Sequence, residues 1–168
     1  MKAIVSLIDG LPLKDLNAQI ELTFDDQNFI IVEKGFSGFK KIAASTFTIP
    51  LTNIIDTLQT TEEEFVEKSK SVIGRGAAGG LLFGPAGLIL GGLSGIGNKK
   101  STKKSHLYVV SYVSSDMQLK NITFSMPSLM TGVTKKFDDQ LHKKLKATTP
   151  NDLVFDYRNQ EPQKEFNL

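Results

Sequence analysis

The sequence predicts an α+β fold, a strongly bent antiparallel sheet or small barrel plugged or capped by a C-terminal helix and interrupted by a glycine-rich helical hairpin. Three observations point there. Strand-like runs rich in β-branched and aromatic residues occupy the chain up to Leu58 and return at His106. One stretch with helical spacing, Leu129 to Lys146, follows the last of them. Between the two sets of strands lie ten of the fourteen glycines, from Gly74 to Gly97.

The elements can be justified in order. Met1 to Ile8 reads as a first strand; its apolar stretch ends at Asp9 and is too short for a secretory signal, so a cytoplasmic protein is expected. Leu16 to Leu22 alternates, Phe29-Ile30-Ile31-Val32 is a compact apolar run, and Asp25-Asp26-Gln27-Asn28 between them has turn composition, giving a β-hairpin. Gly35 and Gly38 bracket a second turn. Phe39 to Ile49 is a strand stopped by Pro50, and Leu51 to Leu58 a short strand or a bend. Thr60 to Ser71 is a helical or extended linker carrying a Glu64–Lys68 pair. Beyond the glycines, His106 to Val113 and Leu119 to Met126 pair as strands across a turn at Ser114-Ser115-Asp116. In the final helix Met130, Val133, Phe137, Leu141 and Leu145 share one face, Ser128 is the expected N-cap, and Lys143, Lys144 and Lys146 complement the dipole. After Pro150 a strand over Leu153 to Tyr157 is expected, then a polar tail. This divides the chain into 1–71 and 99–150 as two parts of one domain, 72–98 as an insertion, and 151–168 as a tail.

Composition removes several classes of function. Twenty Lys+Arg against 18 Asp+Glu give a net charge of +2, which excludes a generally basic nucleic-acid binder. The absence of Cys removes disulfide scaffolds, thiol nucleophiles and Cys-based zinc sites. Two histidines, His106 and His142, leave little for a metal centre, and both read as structural or exposed. The adjacent carboxylates Asp25-Asp26 and Asp138-Asp139 diverge in direction and read as a hairpin turn and a helix surface. Phe36-Ser37-Gly38-Phe39 reads as a turn with anchoring aromatics. No catalytic, metal-ligating or cofactor-holding set can be assembled, and no enzyme activity is expected.

The glycine block admits three readings. Gly74-Arg75-Gly76-Ala77-Ala78-Gly79 matches a dinucleotide-binding loop literally, yet no buried strand precedes it and no Asp or Glu occurs between Glu67 and Asp116 to hold a ribose. The second reading is a glycine zipper. Gly76, Gly80 and Gly84 are spaced by four, as are Gly87, Gly91 and Gly95, so each set lays a smooth ridge along one helix face. Gly84-Pro85 breaks the two, and Leu81, Leu82, Phe83, Leu88, Ile89 and Leu90 supply apolar surface. No charge occurs over the 23 residues from Gly76 to Asn98. Each half would be only about 15 Å long, too short to cross a bilayer but suited to an interfacial or re-entrant hairpin. Lys99, Lys100, Lys103 and Lys104 after the block, and Lys68, Lys70 and Arg75 before it, suit headgroup contact from the cytoplasmic face. The third reading is a hairpin packed on its own domain or on another copy, or a flexible loop.

Gly10-Leu11-Pro12, the Asp25-Asp26 hairpin, the run from Gly74 to Pro85, the Lys99–Lys104 cluster and the strand–strand–helix ending together resemble the bacterial pleckstrin-homology-like (PH-like) proteins of low-GC Gram-positive bacteria and their phages. The resemblance covers roughly residues 8 to 147. It implies a PH-like barrel with a glycine-zipper insertion and no enzymatic activity. On this footing a non-enzymatic binding or scaffold module is expected, peripheral at the inner face of the cell membrane, with anionic lipid and further copies of itself as partners. A membrane-perturbing or pore-forming effector and a soluble protein-interaction factor stay open as alternatives.

Overall fold

The computed structural model describes residues 1–13, 18–37, 40–64 and 106–159, at 36, 37 and 40–43 by their backbone. Its centre is a seven-stranded sheet: β1 (Ala3–Asp9), β2 (Gln19–Phe24), β3 (Asn28–Ser37), β4 (Lys40–Pro50), β5 (Ile54–Thr61), β6 (His106–Val113) and β7 (Leu119–Met126). The strand order is β4-β3-β2-β1-β7-β6-β5, and every neighbouring pair is antiparallel. No ladder joins β4 to β5, so the sheet is bent and open. Its curl shows in the core, where Ile49 of one edge strand and Ile54 of the other lie in a single apolar cluster with Val5, Leu22, Phe29, Tyr108 and Phe124. This is the α+β architecture read from the pattern of strands, insertion, strands and helix.

Local chemistry sets the turns. Asp25 Oδ1 accepts the amides of Gln27 and Asn28 at 2.8 and 2.7 Å, an Asx turn that reverses the chain between β2 and β3. Those two hydrogen bonds hold the Asp25 carboxyl below its ordinary value. Gly10 has φ +102°, and a Cβ there would stand 2.3 Å from the Asn121 carbonyl oxygen, so only glycine allows β1 to leave the sheet against β7. The turn after β3 differs from the expectation. Gly35 pairs with Ile42 inside the ladder, and the reversal falls between Ser37 and Lys40; a bulge at Glu33/Lys34 absorbs the irregularity. Leu51–Asn53 is a 3-10 turn with Leu51 fully buried, and β5 begins immediately after it.

The long helix, α1, runs from Thr131 to Ala147. Ser128 is not its cap. Ser128–Met130 form a 3-10 turn, Met130 holds the N-cap position without a side-chain bond, and the Ser128 carbonyl accepts the Thr131 hydroxyl at 3.1 Å. The buried face is Thr134, Phe137, Asp138, Leu141 and Leu145, while Val133 is 40% exposed. Successive steps of four drift about 40° each around a helix of 3.6 residues per turn, so a stripe drawn from Val133 to Leu145 leaves the contact face at its start. Phe137 meets Phe24 and Phe29 edge-on, with ring centroids 5.3 and 6.2 Å away. Lys144 reaches Asp26 of the β2–β3 turn as an ion pair.

The expected strand at Leu153–Tyr157 is a helix, α2, from Asp152 to Asn159. Asn151 caps it by accepting the Val154 amide at 2.8 Å, and Asp152 sits in the first turn, where a carboxylate suits the dipole. Apolar content alone does not separate a short strand from a short helix. Here docking decides. Val154 is fully buried against Ile55 and Val113, with Leu153 and Tyr157 beside it.

Candidate functional site

Between α1 and the edge strand β5, polar side chains from three elements converge on one buried carboxylate. A bulge between Ile54 and Asp56 offsets the register of β5 against β6. Asp56 Oδ1 accepts the Thr57 amide at 2.8 Å, which turns the carboxylate across its own strand toward α1. Thr57 and Gln59 are two residues apart and so share the same face. Gln59 pairs in register with Tyr108 of β6. Opposite them, Asp138 and His142 lie one turn apart on α1.

Asp138 is 8% exposed and accepts three side-chain hydrogen bonds: Thr57 Oγ1 at 2.6 Å, Tyr108 OH at 2.8 Å and Gln59 Nε2 at 3.1 Å. Burial raises its pKa, but hydrogen bonds from His142, Thr57 and Tyr108 outweigh that and hold the carboxyl below its ordinary value. His142 lies between two carboxylates. Nδ1 donates to the Asp138 carbonyl at 3.0 Å and stands 3.5 Å from the Asp138 carboxylate; Nε2 faces Asp56 at 3.1 Å. Asp138 first, then Asp56, raise the imidazole to about 10. Burial, with the charge of Asp138 beside it, pushes the fully buried Tyr108 phenol well up.

This geometry defines what the cluster can do. An imidazole whose two nitrogens both face acceptors is an imidazolium and has no lone pair with which to act as a base. Thr57, the hydroxyl nearest to it, is nearly buried and already donates to Asp138. The cluster is a charged clamp that fastens α1 to the sheet edge. Arg158 of α2 extends it, donating to the Ile54 and Ile55 carbonyls at 2.6 and 2.9 Å and so covering the open edge of β5. Between the helices a shallow cleft of about 210 Å³ is lined by Ile55, Asp56, His142, Leu145, Lys146 and Arg158.

The clamp predicts a pH profile. The folded protein keeps a proton on His142 up to about pH 10, whereas the unfolded chain releases it near 6.5. Its contribution is complete below pH 6.5 and is lost as pH rises toward 10. Asp138 acts at the other limit: its contribution is present above its ordinary 3.8 and is lost in more acidic solution. Solvent reaches the 36% exposed His142 side chain and screens it, so the alkaline loss is about 1–2 kcal/mol. Urea titrations from pH 6 to 10 should show it in the native protein. The stability difference between native protein and His142→Gln should shrink across that range, and a constant difference would contradict the assignment.

The residues singled out in the sequence for membrane contact or self-association are Gly76, Gly80, Leu81, Leu82, Phe83, Gly84, Gly87, Leu88, Ile89, Leu90, Gly91 and Gly95. They lie outside the described residues, as do Lys99, Lys100, Lys103 and Lys104. The ends of that segment are described. Thr61 Oγ1 accepts the Glu64 amide at 3.2 Å and starts a helical turn at residues 62–64, and β6 begins at His106. Asp138, read from sequence as part of a helix surface, is instead the centre of the clamp, with His142, read as structural or exposed, beside it. The available signal was spacing, since Asp138 stands three residues before Leu141 and seven before Leu145, on the face those leucines bury. Asp56 and Arg158 gave no such signal. Among the described residues no helix is long and apolar enough to cross a membrane, and no three His, Asp or Glu side chains are placed to hold a metal ion.

Residues 12–128 match a family model described as a glycine zipper containing PH domain. That span holds β2 to β7 and the whole glycine block. No curated protein matches the chain.

Proposed function

Because the chain belongs to the glycine zipper containing PH domain family, we propose that it is a non-enzymatic binding and scaffold module whose zipper segment holds it at a membrane surface or to further copies of itself. One observation carries this reading. The family match runs through an insertion in which 23 consecutive residues bear no charge and basic residues stand on both sides. The insertion leaves β5 and re-enters at β6, neighbouring strands of one sheet, so both of its ends return to the same folded body. An apolar segment tethered in this way can enter an interface without carrying the domain across it. The basic flanks on each side suit the inner, anionic leaflet, where each Lys or Arg contributes about 1 kcal/mol. The glycine spacing of four favours close backbone contact, within one chain or between copies.

Liposome co-sedimentation of the intact chain against a Gly76–Gly97 deletion tests the reading. The intact chain is expected to pellet with anionic vesicles and the deletion to stay in the supernatant. Equal pelleting would remove the membrane role. Release of an entrapped dye by the intact chain would move the reading from anchor to pore-forming assembly, which the same glycine spacing also supports. A deletion that changes only the oligomer mass would leave a protein-interaction factor.

A further inference from the structure

The net charge of +2 conceals a separation of charge. Residues 65–105 carry seven Lys and Arg against one Glu, while the rest of the chain carries thirteen against seventeen Asp and Glu. An anionic surface therefore attracts the insertion and repels the body, which orients the body with the exit of the insertion toward the surface. That exit can be located. Thr61 pairs with His106, and His106 pairs with Met126, so the ends of β5, β6 and β7 stand side by side where residues 65–105 depart and return.

Three residues past Met126 stands Leu129, which at 96% exposure is the most exposed of the large apolar side chains described. It is not on a loose loop. The 3-10 turn that carries it is closed by the Met130 amide on the Pro127 carbonyl at 2.8 Å and by the Thr131 hydroxyl on the Ser128 carbonyl at 3.1 Å. Val133, at the start of α1, is 40% exposed nearby in the chain. Glu62, Glu63 and Glu64 also stand at this end, on the turn nearest the sheet, and the charges that follow along the insertion are mainly basic. Two other exposed apolar residues serve as a contrast. Met117 and Phe155, at 64% and 57% exposure, lie at the opposite end of the sheet, away from the basic flanks of the insertion.

We propose that the end of the sheet from which the insertion departs faces an anionic lipid bilayer, and that Leu129 on its rigid turn enters the interface as a second contact beside the insertion. This rests on the membrane reading above and adds an orientation and a residue to it. The chain length supports it: 41 residues leave and return at this end, with an uncharged apolar middle, so lipid that takes up the insertion lies within reach of Leu129.

The test uses the full chain and extruded vesicles of equimolar phosphatidylcholine and phosphatidylglycerol. Leu129→Ser and Phe155→Ser are compared with the native protein and with the Gly76–Gly97 deletion by flotation, after circular dichroism shows unchanged melting. Leu129→Ser is expected to weaken vesicle partitioning about tenfold, the effect of withdrawing part of a leucine side chain from the interface. Phe155→Ser is expected to bind as the native protein does. If Leu129→Ser also binds as the native protein does while the deletion loses binding, the orientation is wrong and the membrane reading stands. If the native protein does not float, both fall. If Leu129→Ser changes the mass in light scattering and leaves flotation unchanged, the face meets a second copy and the lipid assignment is overturned.

Discussion

Asp138→Ala should lower the unfolding free energy by about 3–5 kcal/mol, the range for removing one partner of a buried charged network. Three donors lose their acceptor at once. Tyr108 is fully buried and Thr57 nearly so, and burial at both hydroxyls makes the loss of the carboxylate costly. Gln59 and His142 are nearer solvent and recover part of the loss. For a chain of this size the fall in melting temperature is about 6–20 °C. Urea denaturation at pH 6.5 measures it, and a loss under about 1 kcal/mol would mean that the cluster is not what holds α1. Asp138→Asn separates charge from hydrogen bonding, because the amide oxygen can still accept from Thr57 or Tyr108 while the pairing with the imidazolium is gone. Combining Asp138→Asn with His142→Gln should cost less than the sum of the two single changes, as expected for groups in one network.

Phe137→Ala should cost about 3–5 kcal/mol by a different mechanism, loss of buried apolar surface together with the cavity left behind. Phe137 is fully buried and meets Phe24 and Phe29 edge-on, so it joins α1 to the β2–β3 hairpin as Asp138 joins it to β5. The two changes act on opposite sides of the helix contact, and their pH dependence tells them apart. Phe137→Ala should leave the alkaline fall in stability intact, since His142 keeps both of its carboxylates. Asp138→Asn should flatten it. If Phe137→Ala flattens the profile as well, α1 detaches as a whole and the clamp has no separate role.

The Asp25 turn was legible because its cause is local: one side chain bonds the amides two and three residues ahead. Strands β6 and β7 were legible from apolar runs on either side of a polar turn. Gly10 stood out as a motif, and its reason, the Asn121 carbonyl of another strand, is visible only in the fold. Ser128 and Leu153–Tyr157 misled because capping chemistry and apolar content are shared by more than one local structure, and long-range contacts choose among them. Asp138 misled most. A carboxylate on a helix is ordinarily a solvated one, and only the arrival of Thr57, Gln59 and Tyr108 from residues 79 to 81 or 30 positions away makes its burial tolerable.

Periodicity and turn chemistry are properties of short windows, and from them the sequence by itself determined the class of fold, the order of its strands along the chain and the place of the glycine block between two sets of strands. Tertiary structure decided which face of α1 is buried, that the last segment is a helix, and that a buried carboxylate and an imidazolium fasten that helix to an open sheet edge. The physical reason is the same in each case. Burying a charge or choosing between helix and strand is settled by partners distant in sequence, and only the folded chain brings them within hydrogen-bonding distance.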